Sequence, residues 1–345
     1  MKVFYSDIQM RHDPQMFLSS GAPQPSPEKP ERATRLLDSA KKAGLALETP
    51  EDFGLAPIAR VHTPEYIQFL STIYLRWQRI PGAAPEVIPN IHPDRRDCAY
   101  PASAVGQAGY HQADTACPIG PHSWESILWS ANSAVSAAVS VADDAGDGPA
   151  WAYALCRPPG HHALKDLAGG FCFVNNSAVA AAELLASGAE RVAIVDVDLH
   201  HGNGTQGVFY DRNDVLTVSI HADPVRFYPF FWGHADERGE GPGLGFNLNL
   251  PIPRGTADAE YMPVLEDAVA RVEAFAPEAI VVALGLDGFE GDPFGGLSIS
   301  TDGFGQIGAR LAKLNLPTVL VQEGGYLCDE LGLNLESFLD GFGNR

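Results

Sequence analysis

Along this 345-residue chain, short runs rich in β-branched residues alternate with longer segments whose apolar positions recur at helical spacing. The runs Lys2–Ser6, Ala152–Cys156, Val192–Asp198, Val215–His221, Ala279–Leu286 and Thr318–Gln322 read as strands. Pro30–Gly44, Ser123–Ala142, Val174–Ser187, Asp258–Phe275 and Asp302–Leu314 read as amphipathic or alanine-rich helices. Strands that alternate with helices in this way predict an α/β protein: a parallel sheet covered by helices on both faces. One stretch breaks the rhythm. Residues 81–121 carry seven prolines and no clear period, which predicts a long loop, and a loop of that length within a compact domain is usually either functional or a sign that elements within it go unrecognised.

Composition narrows the class. With 45% apolar and 19% charged residues, the chain can bury a large core as one domain or two smaller ones. The start, "MKVFYS", has no apolar signal segment, and no run of eighteen apolar residues follows, so a cytoplasmic protein with no membrane partner is expected. A net charge of −20 disfavours nucleic acid and suits cationic ligands, although acidity for solubility alone is common. The five cysteines are scattered without a C-x-x-C pair, so any metal site would use nitrogen and oxygen ligands.

The candidate chemistry sits at strand ends. "VDVDLHHGNG", residues 195–204, places Asp196, Asp198, His200 and His201 just beyond a hydrophobic run. Residues two apart share a strand face, so Asp196, Asp198 and His200 are expected together, with His201 pointing away. Burying carboxylates beside an imidazole is costly unless a cation compensates, which favours a divalent metal; a hydrogen-bonded Asp–His pair closing a loop is the alternative. Three further strand ends carry reactive groups: His161 and His162 in "RPPGHH", Asp287 in "GLDGFEGDP" and Tyr326 in "EGGY". Parallel strands would deliver all four to one sheet edge, where open α/β folds bind ligands.

These blocks, with "PEKPERATRLL", "GGFCFVNN" and "SIHADP" in the same order, resemble the signatures of the histone deacetylase superfamily, and within it the bacterial acetylpolyamine amidohydrolases. The resemblance spans nearly the whole chain. It implies the arginase/deacetylase fold, a single domain over residues 1–345 around an eight-stranded parallel sheet. It also implies one catalytic Zn2+ per subunit, held by Asp198, His200 and Asp287, with a structural monovalent cation such as K+ as a further expectation. By the same resemblance His162 is the general base and His161 its electrostatic partner. Asp196 and Asn203 orient that pair, and Tyr326 donates to the oxyanion. Asn203 stands where some relatives carry aspartate, so His162 should be held less strongly as imidazolium.

Phe171 and Tyr228 match rings that line a substrate tunnel. Residues 81–121 match an insertion that builds a homodimer interface and narrows the tunnel, and Asp114 an acidic residue facing a cationic amine. A second acidic position is occupied here by Ala104-Val105, which weakens the expected polyamine preference. The expected activity is zinc-dependent hydrolysis of small N-acetylated amines, such as acetylpolyamines, to acetate. A protein acetyl-lysine deacetylase is the alternative. A non-catalytic binder of acetylated cations fits less well with His162, Tyr326 and three metal ligands all present. A dinuclear manganese ureohydrolase would want more carboxylates than the "DVDLHHG" block supplies.

Overall fold

Eight strands, parallel throughout, form the central sheet of the computed structural model, which describes residues 1–144 and 148–343. In chain order the strands are β1 (Lys2–Phe4), β2 (Met16–Ser19), β3 (Ala22–Pro25), β4 (Ala46–Glu48), β5 (Trp151–Ala154), β6 (Val192–Asp196), β7 (Val215–Ala222), β8 (Asn247–Ile252), β9 (Ala279–Leu284) and β10 (Thr318–Gln322). Strands β2 and β3 make a separate exposed hairpin, and the others lie in the order β4-β1-β5-β10-β9-β6-β7-β8. The helices are α1 (Glu31–Lys42), α2 (Ala56–Ala59), α3 (Pro64–Trp77), α4 (Ala104–His111), α5 (Ser123–Ala142), α6 (Asn176–Ala186), α7 (Asn203–Phe209), α8 (Asp258–Phe275), α9 (Thr301–Ala312) and α10 (Leu331–Gly343). This is the arginase/deacetylase arrangement that the sequence blocks imply. No described helix is long and apolar enough to cross a membrane.

Strand alternation divides the interior into two cores. Val192, Ile194, Val281, Val319 and Val321 feed one face with α3, α5 and α6. Ala193, Val195, Ile280, Val282 and Leu320 feed the other with α1, α8, α9 and α10. Because both faces are covered, the central strands are apolar at nearly every position, which is why they were easy to read. The strands that escaped the pattern are short or polar. β4 has three exposed residues, and β8 carries Asn247 and Asn249, whose amides bond Gln206 instead of packing as apolar side chains. Helix α3 was also missed, although its start is written locally: Thr63 accepts from the Tyr66 amide, followed by Pro64 in the first turn.

Residues 81–121 are not one loop. Val87 and Ile119 form an antiparallel bridge, α4 lies between them, and Val87, Ala108, Cys117 and Ile119 are buried in the main core. Residues 111–116 then run beside 168–171: Ala113 N–H donates to the Ala168 carbonyl (2.7 Å) and Phe171 N–H to that of Ala116 (3.1 Å). The segment's longest exposed stretch is 90–100, with Ile91 and Tyr100 in solvent. The prolines punctuate turns between anchored pieces, and this hides the buried positions from a periodicity reading.

Ile119→Ala should therefore destabilise the chain by about 2–4 kcal/mol, the ordinary range for truncating a fully buried aliphatic side chain. Arg95→Ala, in the exposed stretch, should stay within about 0.5 kcal/mol. Urea midpoints measure both, and similar values for the two would show that the segment is not part of the core.

Candidate active site

Five neighbouring strands, β5, β10, β9, β6 and β7, end at the same edge, and the loops leaving them hold the candidate residues. Strand β6 stops at Asp196, two residues short of the sequence expectation, because the aspartates capture the backbone that follows. Asp196 accepts from the Asp198 amide (3.0 Å), and Asp198 from the His200 amide (2.8 Å). Asp287 reaches across from β9 to accept from the Leu199 amide (3.1 Å), and the Gly324 amide donates to Asp198 from the β10 side (2.8 Å). Asp198, His200 and Asp287 are brought together and buried, with ligand atoms within 4.8 Å of one another. His201 turns away and packs on His221, ring centroids 4.7 Å apart.

Such a group needs positive charge at its centre. His200 Nδ1 lies 3.0 Å from Asp287 and 3.3 Å from Asp198. Burial opposes charge on this imidazole, but its bonds to Asp198 and Asp287 push the pKa up to about 9. Burial and the neighbouring Asp198 raise the Asp287 carboxyl above its usual range. A divalent ion would neutralise both carboxylates at once. Two carboxylates and one imidazole, with no thiolate, make a donor set that fits a hydrolytic zinc site with an open position. His161, Cys172 and Glu323 form a second close group, but the Glu323 oxygens are already engaged by backbone amides and Ser177.

Beside the carboxylates stand the tandem histidines, ring centroids 4.0 Å apart. They have opposite partners. His161 Nδ1 bonds Asp196 (2.9 Å), whereas His162 Nδ1 bonds the neutral Asn203 (2.8 Å). Burial opposes charge on His161, yet the negative charges of Asp198 and Asp196 carry its pKa well above 6.5. For His162, burial and the charges of His161 and His200 all act downward, to well below 6.5. The surroundings thus favour the charged form of His161 and the neutral form of His162, and a neutral imidazole is what a proton-accepting base requires.

Aromatic rings form the wall. Phe171 lies 5.9 Å from the Tyr326 ring, and Tyr228 lies 4.9 Å edge-on to His162. Phe171 is held in the left-handed region, φ 68°, next to Gly170 at φ 52°. Asp114 was expected to face a bound cation. In the structure its carboxylate accepts from the Tyr228 hydroxyl (2.8 Å), the Gly170 amide (3.1 Å) and the Ala116 amide (2.8 Å), fixing this turn and ring. Sequence reasoning also passed over Phe294 (4.7 Å from the Tyr326 ring), Phe227 (5.2 Å from His200) and Asp292, which accepts from the Tyr326 amide (2.9 Å). It missed Arg32, stacked 4.7 Å over Tyr326, as well. Arg32 and Asp292 lay inside the quoted blocks, but Phe294 and Phe227 carry no local signal.

From residue 26 to 342 the chain matches the family model of the histone deacetylase domain. It is 46% identical over 344 residues to an acetylpolyamine amidohydrolase of Burkholderia pseudomallei (strain 1710b), covering 99% of each. To an acetylpolyamine amidohydrolase of Mycoplana ramosa it is 40% identical over 343 residues, again covering 99% of each. A crystal structure of acetylpolyamine aminohydrolase from Burkholderia pseudomallei, soaked in iodide, superposes with a TM-score of 0.95 at 46% identity, covering 100% of this chain and 99% of that one.

The contrast between the two histidines is measurable without substrate. NMR titration should find His162 neutral below pH 6.5, since its pKa is depressed, while His161 stays protonated above it. Asn203→Asp sets a negative charge against His162 Nδ1, so its pKa should rise by about 1–3 units. An unmoved His162 titration in that variant would remove Asn203 from the control of the base.

Proposed function

The chain belongs to the histone deacetylase family, and on that premise we propose that it is a zinc-dependent amidohydrolase releasing acetate from small N-acetylated amines of the acetylpolyamine class. The observation that carries this reading is geometric: Asp198, His200 and Asp287 gathered as a possible three-ligand set, the tandem rings of His161 and His162 beside them bonded to Asp196 and Asn203, and the aromatic rings of Phe171, Tyr228 and Tyr326 around them. Asp198, His200 and Asp287 would hold one Zn2+, which when bound supplies Lewis acidity toward the acetyl carbonyl and makes a nearby water more acidic.

The protein residues do the rest. Asn203 Oδ1 accepts from His162 Nδ1, leaving Nε2 free to take the proton of the attacking water. His161, charged on Asp196, places positive charge where the oxyanion develops. Burial raises the Tyr326 hydroxyl well above pH 10, so it stays protonated and donates to that oxyanion. The proton held by His162 passes to the departing amine, and acetate and free amine leave. Phe171 and Tyr228 flank the chain behind the acetamide and keep water out, with the Asp114 carboxylate at the wall attracting a distal ammonium while it holds Tyr228.

Residues 81–121 narrow this tunnel, and we place the homodimer interface on the exposed stretch 90–100 with the aromatic loop Phe230–Trp232, whose three rings face solvent.

Metal analysis should give one zinc per chain, with any K+ read in the same measurement. His200→Ala and Asp287→Ala should lose zinc and turnover together, since three ligands leave no redundancy. Tyr326→Phe should keep its zinc while kcat falls by roughly 10²–10³, the usual loss of one oxyanion donor. Acetylated diamines and spermidine derivatives should turn over faster than acetyl-lysine peptides; the opposite ranking would favour a protein deacetylase. Light scattering should show a dimer, and deleting 90–100 should yield monomers with improved relative turnover of peptides. A monomeric wild type would remove the interface.

A further inference from the structure

Glu323 opens the "EGGY" block, three residues before Tyr326, and is fully buried. Its carboxylate is not part of the Asp198, His200 and Asp287 group. One oxygen accepts from two successive backbone amides, Gly160 (2.7 Å) and His161 (3.0 Å), and the other from the Ser177 hydroxyl (2.7 Å). The two amides belong to the turn that leaves β5 carrying the tandem histidines. Beyond the end of a strand they have no ladder partner, and a buried amide left unpaired is costly.

The backbone of Glu323 belongs to the other half of the site. Its amide donates to the Leu284 carbonyl on β9 (2.9 Å), and its carbonyl accepts from Arg32 (2.7 Å). The same guanidinium bonds the Gly325 carbonyl (2.5 Å) and covers the Tyr326 ring. Behind it, Glu28 holds Arg32 (2.8 Å) and Arg157 (2.9 Å) in full burial. Strands β5 and β10 are neighbours, Val321 paired with Ala154, so the two turns leave the sheet side by side and one side chain spans them.

We propose that Glu323 is a positioning residue whose buried carboxylate clasps the Gly160–His161 turn to the Tyr326 turn, holding the base and the oxyanion donor in one frame. The proposal rests on the deacetylase reading for its effect on rate, though not for its effect on structure. Glutamine at 323 keeps an amide oxygen for both backbone amides, whereas leucine keeps none.

The test compares Glu323→Gln and Glu323→Leu for zinc content, kcat and KM on an acetylated diamine, and hydrogen–deuterium exchange. Glu323→Leu should keep one zinc and a KM within about threefold while kcat falls by about 10–100-fold, the scale of a small misplacement of catalytic groups. Glu323→Gln should recover to within about fivefold. Peptides covering 157–164 should lose protection in Glu323→Leu and keep it in Glu323→Gln. Wild-type kcat in Glu323→Leu, a Gln variant as slow as Leu, or unchanged exchange at 157–164 would each overturn the clasp. Should Glu323→Leu fail to fold, Ser177→Ala loosens the same carboxylate and should raise exchange at 157–164; unchanged exchange there would overturn the proposal. If the wild type fails to hydrolyse acetylated amines, the deacetylase reading falls, while the exchange data still decide the clasp.

Discussion

Buried negative charge at the carboxyl edge of the sheet is the constraint to which the rest of the structure answers. Asp196, Asp198, Asp287 and Glu323 are all buried there, among strands whose apolar residues offer no compensation. Isolated carboxylates in such a place would lose several kcal/mol each of hydration, roughly the penalty left after relaxation. Each therefore has donors assigned to it: the amides of Asp198, Leu199, His200, Gly324, Gly160 and His161 all point inward. That demand ends the strands early and bends the loops that follow them. The site's geometry is in this sense a solution to a solvation problem.

The same charges separate two chemically identical rings. His161 sees two carboxylates and His162 sees an amide and two imidazoles, so their proton affinities diverge although they are adjacent in sequence. A second ionic group stands behind the tyrosine, where Glu28 is held by two arginines and His12 is pushed by burial down to about 3, hence neutral. Two arginines against one glutamate leave positive charge next to the Tyr326 turn. The acidic edge and this basic support are thus two sides of one arrangement.

The segment rich in proline ties the wall of the site to the core. Its buried anchors Val87, Ala108, Cys117 and Ile119 belong to the core, while Asp114, between them, fixes the wall through Tyr228 and Gly170. A change in this stretch that altered the aromatic wall would have to respect core packing, because the same irregular chain supplies both.

Much of the site was legible because its chemistry is concentrated in short blocks at strand ends. The sequence by itself determined the sheet's central strands, since runs apolar on both faces have few other folds, and it determined which side chains could bind a metal or move a proton. It also pointed His201 away from Asp198 and His200, although the regular strand assumed for that argument ends at Asp196. What only the tertiary structure decided depends on contacts between distant segments. Asp114 bonds a tyrosine 114 positions away, Glu323 reaches back 162 and 163 positions to His161 and Gly160, and Arg32 reaches forward 293 to Gly325. Phe294 and Phe227 join the wall from loops with no local pattern. Periodicity and motif report which face a residue is on and what its side chain can do; which partner satisfies a buried polar group is set by strand order, and strand order is a property of the folded sheet.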